Sequence, residues 1–356
     1  MKVCILGNNL TSLVLTKTLS NMGIAVDIVY DNHILSINKT RTLAISKNNI
    51  EFFNNNILNI NKLLWEINKI EIYNENLSNE KIINFQNNNN YLFSMLKNYE
   101  LYNSLKKNLK KIKSVKFKKK INYSNIIDDY KLIFNCDYKS LITKKFFYKN
   151  IKKNYKSFAY TAVINHKKIT ENNSAFQIFT KKGPFAFLPI SKNQTSIVFS
   201  IRGLNTTSLE DLIKKYNIKY KVLKIGDVHK FKLSSSNLRS YYYKNILAFG
   251  DLLHRIHPLA GQGFNMSIRD IKVIFELIKF KLDIGLEIDS SVCIDFEKRA
   301  KHKNYLFSKG IDLVYEFFNL ESKINNNVLT KSIQFFGKNK FLNRSFEKIA
   351  NNGLQI

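Results

Sequence analysis

The chain begins with two short apolar runs separated by a segment of helical spacing. Residues 2–6 and 24–30 have the length and continuity of buried strands. Residues 10–21 repeat apolar side chains at helical spacing, at Leu10, Leu13, Val14 and Leu19. A strand–helix–strand unit of about 30 residues is the usual beginning of a dinucleotide-binding domain. The pattern therefore predicts such a unit at the start of the chain.

Further along, strand-like runs are grouped in the middle and helical spacing dominates the end. Residues 131–136 and 245–249 are short apolar runs. Between them, four runs separated by polar or Gly-Pro turns predict an antiparallel sheet, at 158–165, 175–180, 184–190 and 195–201. Helical spacing begins at Phe264, and residues 300–350 are predicted to be an amphipathic helical tail. Three asparagine runs predict loops, at 54–56, 87–90 and 325–327. The prediction is an α/β domain interrupted by a β-rich insertion and followed by helices.

The composition narrows the class of protein. The 356 residues include only 12 Gly and 3 Pro, against typical usage of about 7% and 5%, which excludes collagen-like, Pro-rich and flexible-linker classes. At 44% hydrophobic residues, the chain can bury a large core. The three isolated cysteines fit no disulfide or zinc spacing, and no apolar run of about 18 residues or signal-peptide layout is present. We expect a cytoplasmic protein that does not span a membrane.

The net charge of +30 favours contact with anionic surfaces. The densest basic segment, 106–120, places lysines opposite a helical apolar stripe, and it is interpreted either as a solvated face or as a face for an anionic membrane. No recognised nucleic-acid module accompanies the charge, so we expect no nucleic-acid partner.

The strongest chemical signal is residues 250–270, GDLLHRIHPLAGQGFNMSIRD. Asp251 follows an apolar strand, and ligands bind at the carboxyl ends of strands in open α/β sheets. Gly261 and Gly263 are predicted to allow positive φ and a close approach of backbone to a flat ligand. The helix that begins near Gly263 directs unpaired N–H groups and a positive dipole end toward that ligand.

This stretch resembles the GD-(x)n-HP-x-x-GQG-x-N-x-x-x-x-D motif of the class A FAD-dependent aromatic hydroxylases. Within that class, it most resembles the ubiquinone-biosynthesis hydroxylases. The resemblance extends over nearly the whole chain, through the segment RTLAIS at 41–46, the only Trp at 65, the segment AFQIFTKKGPFAFLP at 175–189 and the ending FEKIANNGL at 346–354. All three prolines, at 184, 189 and 258, fall on motif positions of the family.

The resemblance implies a role for each matching residue. Asp251 would hydrogen-bond the FAD ribityl chain, and Arg41 would lie near the pyrophosphate. The oxygen-reacting side of the isoalloxazine ring would be lined by Pro258, Leu259, Ala260 and Gly261. The pyrimidine edge would be contacted by Gly261, Gln262, Gly263 and Asn265. The pyrophosphate turn would be formed by Gly7, Asn9 and Ser12.

The implied fold is α/β: a Rossmann-like FAD-binding domain interleaved with an antiparallel β-sheet substrate domain and followed by a helical C-terminus. The FAD-binding domain is predicted over 1–70, 95–155 and 240–300. The substrate domain is predicted over 71–94 and 156–239. The helical C-terminal segment is predicted over 301–356.

The phosphate-binding end departs from the family pattern at three places. The glycine-rich first loop reads G-N-N-L-T-S over residues 7–12, and the Asn9 side chain is expected to crowd the backbone approach that a glycine permits. Tyr30 stands where an acidic residue is expected at the end of the second strand, with Asp31 next to it. Tyr138 replaces the glycine of an internal A-D-G motif.

The activity implied by the resemblance is monooxygenation of the aromatic ring of a polyprenylated phenol in ubiquinone biosynthesis. NADH or NADPH would reduce FAD, and O2 would form the flavin C4a-hydroperoxide that hydroxylates the ring. A prenylated substrate implies peripheral contact with an anionic membrane, at the inner face of the cytoplasmic membrane, and a complex with other ubiquinone-biosynthesis proteins is a further possible partner. Two alternatives stay open: a non-catalytic scaffold whose altered loop no longer holds FAD, and a hydroxylase of a non-quinone phenol.

Two groups of side chains allow more than one interpretation. His254 and His257 stand three residues apart, but no carboxylate or Cys joins them at ligand spacing, so a role in loop structure is favoured over a metal site. Four phenylalanines of the predicted sheet either line an aromatic substrate pocket or form the core of the sheet: Phe176, Phe185, Phe187 and Phe199.

Overall fold

The computed structural model describes residues 2–30, 38–75, 81–86, 91–119, 123–202, 208–258 and 261–324. The strands in these ranges are β1 Lys2–Leu6, β2 Ala25–Tyr30, β3 Thr42–Ser46, β4 Trp65–Ile67, β5 Lys69–Asn74, β6 Lys81–Gln86, β7 Phe93–Lys97, β8 Val115–Lys119, β9 Ile133–Asn135, β10 Asn150–His166, β11 Ser174–Thr180, β12 Gly183–Pro189, β13 Gln194–Arg202, β14 Val222–Ile225, β15 His229–Leu238, β16 Tyr242–Tyr243, β17 Ile246–Ala248 and β18 His254–Arg255. The helices are α1 Leu10–Asn21, α2 Lys47–Asn56, α3 Asn98–Leu109, α4 Tyr123–Asp129, α5 Leu141–Phe146, α6 Leu209–Tyr216, α7 Gln262–Asp283 and α8 Ser291–Ile324.

The first sheet is the predicted dinucleotide-binding sheet. Its strand order is β16-β17-β9-β1-β2-β8, and every pairing except that of β16 with β17 is parallel. The central strands β1, β2 and β9 are buried on both faces, which explains why they read as continuous apolar runs rather than as alternating ones. The predicted strands at 2–6, 24–30, 131–136 and 245–249 and the helix at 10–21 are thereby confirmed, with small shifts at their ends.

The second sheet is the predicted β-rich insertion. Its strands follow the order β18-β15-β10-β13-β12-β11-β5-β6, with β14 also paired to β10. The β5–β11 pairing is parallel and the other pairings are antiparallel. One face packs against α6 through the side chains of Phe176, Phe185, Phe187 and Phe199. The four phenylalanines therefore form the core between sheet and helix, which decides between the two interpretations offered above.

A three-stranded sheet in the order β3-β7-β4 joins the two larger sheets. Trp65 Nε1 donates to the Asn172 carbonyl at 2.7 Å, and the Thr42 and Ser196 hydroxyls lie 2.8 Å apart. The Thr42–Ser196 contact holds β3 against the face of the second sheet that α6 does not cover, and the Trp65 contact holds β4 to the turn before β11.

The loop predicted at 54–56 is wrong, because these asparagines complete helix α2. The helix is stabilised by its apolar face, where Ile50 and Phe53 are buried and Phe52 meets the Phe275 ring of α7 at 5.7 Å. The Asn56 side chain donates back to the Phe52 carbonyl at 3.1 Å. Packing therefore outweighs the weak helix propensity of Asn. The other two asparagine runs lie outside the described residues.

The helical prediction for the end of the chain is confirmed as far as Ile324, where α8 ends. The remainder, including 346–354, lies outside the described residues. The division into domains stays a prediction, although β10 joins the second sheet already from Asn150. No helix among the described ranges is long and apolar enough to cross a bilayer.

Candidate functional site

The first loop of the dinucleotide-binding sheet turns at Gly7 and enters α1 at Asn9. The Gly7 N–H donates to the Val29 carbonyl at 2.8 Å. The Asn9 Oδ1 accepts from the Ser12 N–H at 3.0 Å and from the Ser12 hydroxyl at 3.1 Å, which caps the helix. A β-carbon on Gly7 would lie 3.3 Å from the Asp137 Cβ. The first loop therefore packs directly against the loop that follows β9.

Asn9 adopts backbone angles that any residue can adopt, φ −73° and ψ 176°. Its side chain turns toward the protein, where Nδ2 donates to the Cys136 carbonyl at 2.8 Å. The crowding of a ligand that is expected of this side chain stays a prediction. The Asn9 amide caps α1 and links the first loop to the end of β9, at a position where the family has a flexible glycine.

The turn after β17 packs on the start of the same helix. Gly250 has φ +65°, and a β-carbon there would lie 2.9 Å from the Thr11 Cγ2. Gly250 is thus required both by its left-handed conformation and by the close approach of α1. Asp251 follows in a short 3₁₀ turn with an exposed carboxylate that has no hydrogen-bond or ion-pair partner among the described residues.

The third loop leads into α7 and packs on β3. Gly261 has φ +63°, and a β-carbon there would lie 2.9 Å from the Ala44 Cβ. Its N–H donates to the Pro258 carbonyl at 3.2 Å, which closes the tight loop predicted there. The expectation of positive φ is confirmed for Gly261 and is wrong for Gly263, which lies inside α7 without a positive φ. Leu259 and Ala260 lie outside the described residues.

Asn265 holds the third loop to β3 and α2. Its Oδ1 accepts from the Ser46 N–H at 3.0 Å and from the Asn49 Nδ2 at 2.9 Å. Its Nδ2 donates to the Ala44 carbonyl at 2.9 Å and to the Gly261 carbonyl at 3.4 Å. The Asn265 side chain is therefore bonded to protein at both amide atoms and positions the loop, while its contact with a flavin stays a prediction.

Three observations mark space for a ligand beside the start of α7. The Gln262 Oε1 is buried and has no hydrogen-bond partner among the described residues, and a buried polar atom without a partner is costly. A β-carbon on Gly263 would meet no described atom within 4 Å apart from its chain neighbours and the backbone of its own helix. Arg41, which precedes β3, has an exposed side chain with no ion-pair partner among the described residues. The N-terminus of a helix favours negative charge at this place.

The two histidines of the loop are structural. The His254 Nε2 lies 2.6 Å from the Asp270 Oδ2, and both side chains are buried. The His257 ring packs against the rings of Tyr155, at 4.9 Å, and Tyr315, at 4.2 Å, which also contact each other at 5.0 Å. These contacts support the interpretation of both residues as loop structure, and no group of three or more metal-ligating side chains occurs in the described ranges.

The sequence analysis did not identify a stripe of buried polar side chains on α8. This stripe packs against the segment that contains His254 and His257. Asn304 donates to the Asp270 Oδ1 at 2.8 Å, and the Asn237 amide donates to the Ser308 hydroxyl at 2.9 Å. The Tyr155 hydroxyl donates to Asp312, and both burial and this bond raise the pKa of Tyr155. The spacing of the stripe, at 304, 308, 312 and 315, is the signal that could have revealed it.

The first loop and the turn after β17 meet along the carboxyl edge of the parallel sheet, and Gly261, at the start of α7, packs on β3. This geometry is that of a dinucleotide-binding crevice, in which phosphates lie at a helix N-terminus. It places the residues of the first loop, residues 250–258 and the start of α7 around one region, although they are far apart in the sequence.

Comparison with solved structures defines the fold. The chain matches p-nitrophenol 4-monooxygenase PnpA from Pseudomonas putida with a TM-score of 0.80 and 12% identity, over 99% of this chain and 98% of that one. It matches HpxO from Klebsiella pneumoniae, complexed with FAD and uric acid, with a TM-score of 0.76 and 11% identity, over 99% and 97%. At this identity the likeness establishes the fold alone, which is the predicted α/β fold and is shared with these two proteins.

Comparison of sequences gives the particular relatives. The chain is 28% identical to 3-demethoxyubiquinol 3-hydroxylase of Escherichia coli over 156 residues, 41% of this chain and 40% of the relative. It is 22% identical to ubiquinone biosynthesis monooxygenase COQ6 of Schizosaccharomyces pombe over 276 residues, 63% of this chain and 57% of the relative. The chain thus spans about half the length of these relatives, and no family model matches it. The predicted resemblance to the ubiquinone-biosynthesis hydroxylases is confirmed.

Proposed function

We propose that the chain is an FAD-dependent monooxygenase that hydroxylates the aromatic ring of a polyprenylated phenol in ubiquinone biosynthesis. The observation that carries the proposal is the packing of the first loop and the turn after β17 at one sheet edge, through the Gly7–Asp137 and Gly250–Thr11 contacts, together with the packing of Gly261, at the start of α7, on Ala44 of β3. The relatives named as ubiquinone hydroxylases supply the substrate class.

The residues of the edge fit a dinucleotide with a flat ring. The capped start of α1 and the Arg41 side chain would hold the pyrophosphate. The free Asp251 carboxylate would accept hydrogen bonds from the ribityl hydroxyls. The unpartnered Gln262 Oε1 and the open space beside Gly263 would receive the pyrimidine edge of the ring. Bound FAD supplies the redox chemistry that activates O2, with NADH or NADPH as the source of electrons.

The chain's own part is to position the substrate and to exclude water. The face of the second sheet that α6 does not cover carries small side chains at Ala186, Ser196 and Ser200, and Ser196 contacts β3. β3 also carries Ala44, against which Gly261 packs. We propose that the phenol ring lies between this face and the loop that contains Pro258, where burial keeps water from the reacting atoms.

A polyprenylated substrate resides in the bilayer, so we propose that the protein is peripheral at the inner face of the cytoplasmic membrane. A complex with other ubiquinone-biosynthesis proteins would be compatible with that place. The positive charge of +30 supports attraction to anionic lipid.

The test is the absorbance spectrum of the purified chain and its titration with FAD. The proposal expects flavin bands and oxidation of NADH or NADPH that is stimulated by a prenylated phenol. A chain without flavin bands that cannot be loaded with FAD would instead be the non-catalytic scaffold. If FAD binds and a strain lacking the gene still makes normal ubiquinone, the substrate is a non-quinone phenol.

A further inference from the structure

Exposed lysine, aliphatic and aromatic side chains share one surface around the short helix α5. Leu141, Lys144 and Lys145 stand at helical spacing i, i+3 and i+4, and all three are exposed. Ile142 and Thr143, on the other side of the helix, are buried. We use the name "α5 surface" for the exposed side chains of Tyr138, Leu141, Lys144, Lys145, Tyr148, Lys149 and Tyr243.

The α5 surface continues onto the neighbouring β16–β17 hairpin. The Phe146 ring stacks on the Tyr243 ring with centroids 4.0 Å apart. Leu141 and Tyr148 are 60% and 62% exposed. Large apolar side chains exposed to this degree on both ends of one helix indicate a surface that meets a partner rather than water.

The charge of this surface has one sign. From Tyr138 to Thr170 the chain contains no Asp or Glu. Lys139, Lys144, Lys145 and Lys149 form no ion pair with any described residue. Their uncompensated charge is complementary to an anionic partner, and the interleaved tyrosines are the side chains that settle at a membrane–water interface.

Two other surfaces have either dense positive charge or exposed apolar side chains, but they do not combine exposed apolar side chains with charge of one sign. The segment 106–120 has the densest lysines, but Leu109 and Val115 are buried in the core and no large apolar side chain of its described residues is exposed. The end of α7 exposes Phe280, Leu282, Ile284 and Leu286. There Asp283 and Glu287 are interleaved with the apolar side chains and would oppose an anionic surface.

The α5 surface also borders the candidate site. Asp137, against which Gly7 packs, immediately precedes it. The Tyr138 ring lies 5.6 Å from the guanidinium carbon of Arg255, in the strand after Asp251. A partner docked on the α5 surface would therefore lie beside the loops at the carboxyl edge of the sheet.

We propose that the α5 surface docks this protein on an anionic phospholipid bilayer. The lysines contact lipid phosphates, and Leu141, Tyr148 and Tyr243 enter the headgroup region. The inference deepens the proposed function, since a polyprenylated substrate lies in the bilayer, but it does not depend on FAD or on turnover. A chain that loads FAD and ignores vesicles contradicts only this inference, and one that binds vesicles without FAD contradicts only the proposed function.

The test is co-sedimentation of the full chain with vesicles of phosphatidylcholine, with and without phosphatidylglycerol. We expect binding only to the vesicles with phosphatidylglycerol, weakened by salt. The double variant Lys144→Glu/Lys145→Glu should lower the partition coefficient by about tenfold or more. Leu141→Ser/Tyr148→Ser should also lower it, without a change in charge.

Two matched variants guard against a general effect of charge or of apolar area. Lys107→Glu/Lys110→Glu makes the same charge change on α3, and Phe280→Ser/Ile284→Ser removes exposed apolar area at the end of α7. Both should bind vesicles nearly as the original chain does. The inference is overturned if either control loses as much binding as the α5 variants, or if the original chain binds neither kind of vesicle, which would leave a protein partner for this surface. Far-UV circular dichroism and the midpoint of thermal unfolding confirm that each variant is folded.

Discussion

The Asn9 side chain donates to the Cys136 carbonyl at 2.8 Å and thereby joins the first loop to the end of β9. The same side chain caps α1 through Ser12. A residue that departs from the glycine pattern of the ubiquinone-biosynthesis hydroxylases thus holds two parts of the carboxyl edge of the sheet together. The altered loop is consequently not a sign of lost structure.

Replacement of Asn9 should lower stability. Asn9→Ala removes the cap and the bond to Cys136, and we expect a decrease of about 1–2 kcal/mol in the free energy of unfolding. Urea unfolding measures it. Asn9→Ser keeps the cap and should lose less. Asn9→Gly, which restores the family's residue, should not strengthen FAD binding; a clear gain in affinity would mean that the side chain does crowd the ligand.

Gly261 and Gly263 form a matched pair for the start of α7. Gly261→Ala should destabilise the protein by about 1–2 kcal/mol with or without FAD, because its φ is positive and Ala44 lies in the way. Gly263→Ala should leave the apoprotein as stable or slightly more stable, since a helical Ala is favoured by up to about 1 kcal/mol. It should nevertheless weaken FAD binding. Unchanged affinity in the Gly263 variant would place the ring elsewhere.

Arg41 and Asp251 should affect ligand binding but not folding. Both side chains are exposed and have no partner among the described residues, so Arg41→Ala and Asp251→Asn should change the free energy of unfolding by no more than about 0.5 kcal/mol. Each should weaken FAD binding by about tenfold or more, as expected for a lost bond to a charged group. Fluorescence titration with FAD provides the measurement, and Lys107→Ala serves as a control that should change neither quantity.

Asp27 should make stability depend on acid pH. Burial raises the pKa of this carboxyl, but hydrogen bonds from Lys118, Lys2 and Tyr130, at 2.7, 2.8 and 2.6 Å, outweigh it, and the net pKa is lowered. The stabilisation is therefore present above the unfolded pKa of about 3.9 and is lost as the pH falls through the folded pKa. Asp27→Asn should cost up to about 3 kcal/mol at pH 7. In urea unfolding, the difference from the original chain should shrink below about pH 4; a difference that stays constant would exclude this carboxylate as the cause.

The polar stripe of α8 should stabilise the loop that contains His257. Asp312→Ala leaves the buried Tyr155 hydroxyl without its acceptor, and we expect a loss of about 1–3 kcal/mol. Leu313→Ala, at the adjacent position of α8 and 71% exposed, should stay within about 0.5 kcal/mol. Thermal unfolding followed by circular dichroism compares the two. Equal losses of stability in the two variants would show that stability depends on α8 as a whole rather than on its polar stripe.

The local pattern of apolar residues was sufficient to predict the elements that are buried uniformly along their length. The strands around Cys4 and Ile28 are buried on both faces, so they appear in the sequence as unbroken apolar runs. The helix between them and the loop from Asp251 to Gly261 were predictable because their residue types are tied to local backbone geometry. The loop predicted at 54–56 was wrong, because the helix α2 that contains these asparagines is stabilised by the burial of Phe53.

The sequence by itself determined the α/β class, the order of elements and the resemblance to flavin hydroxylases, because these follow from short-range periodicity and from residues close together in the chain. Only the tertiary structure decided that Gly250 meets Thr11 and Gly261 meets Ala44, since such approaches depend on how distant segments pack. It likewise decided that Asn265 is bonded to protein and that Asn9 faces Cys136. The type of a side chain determines which hydrogen bonds and contacts it can form, but the fold determines which residue is its partner.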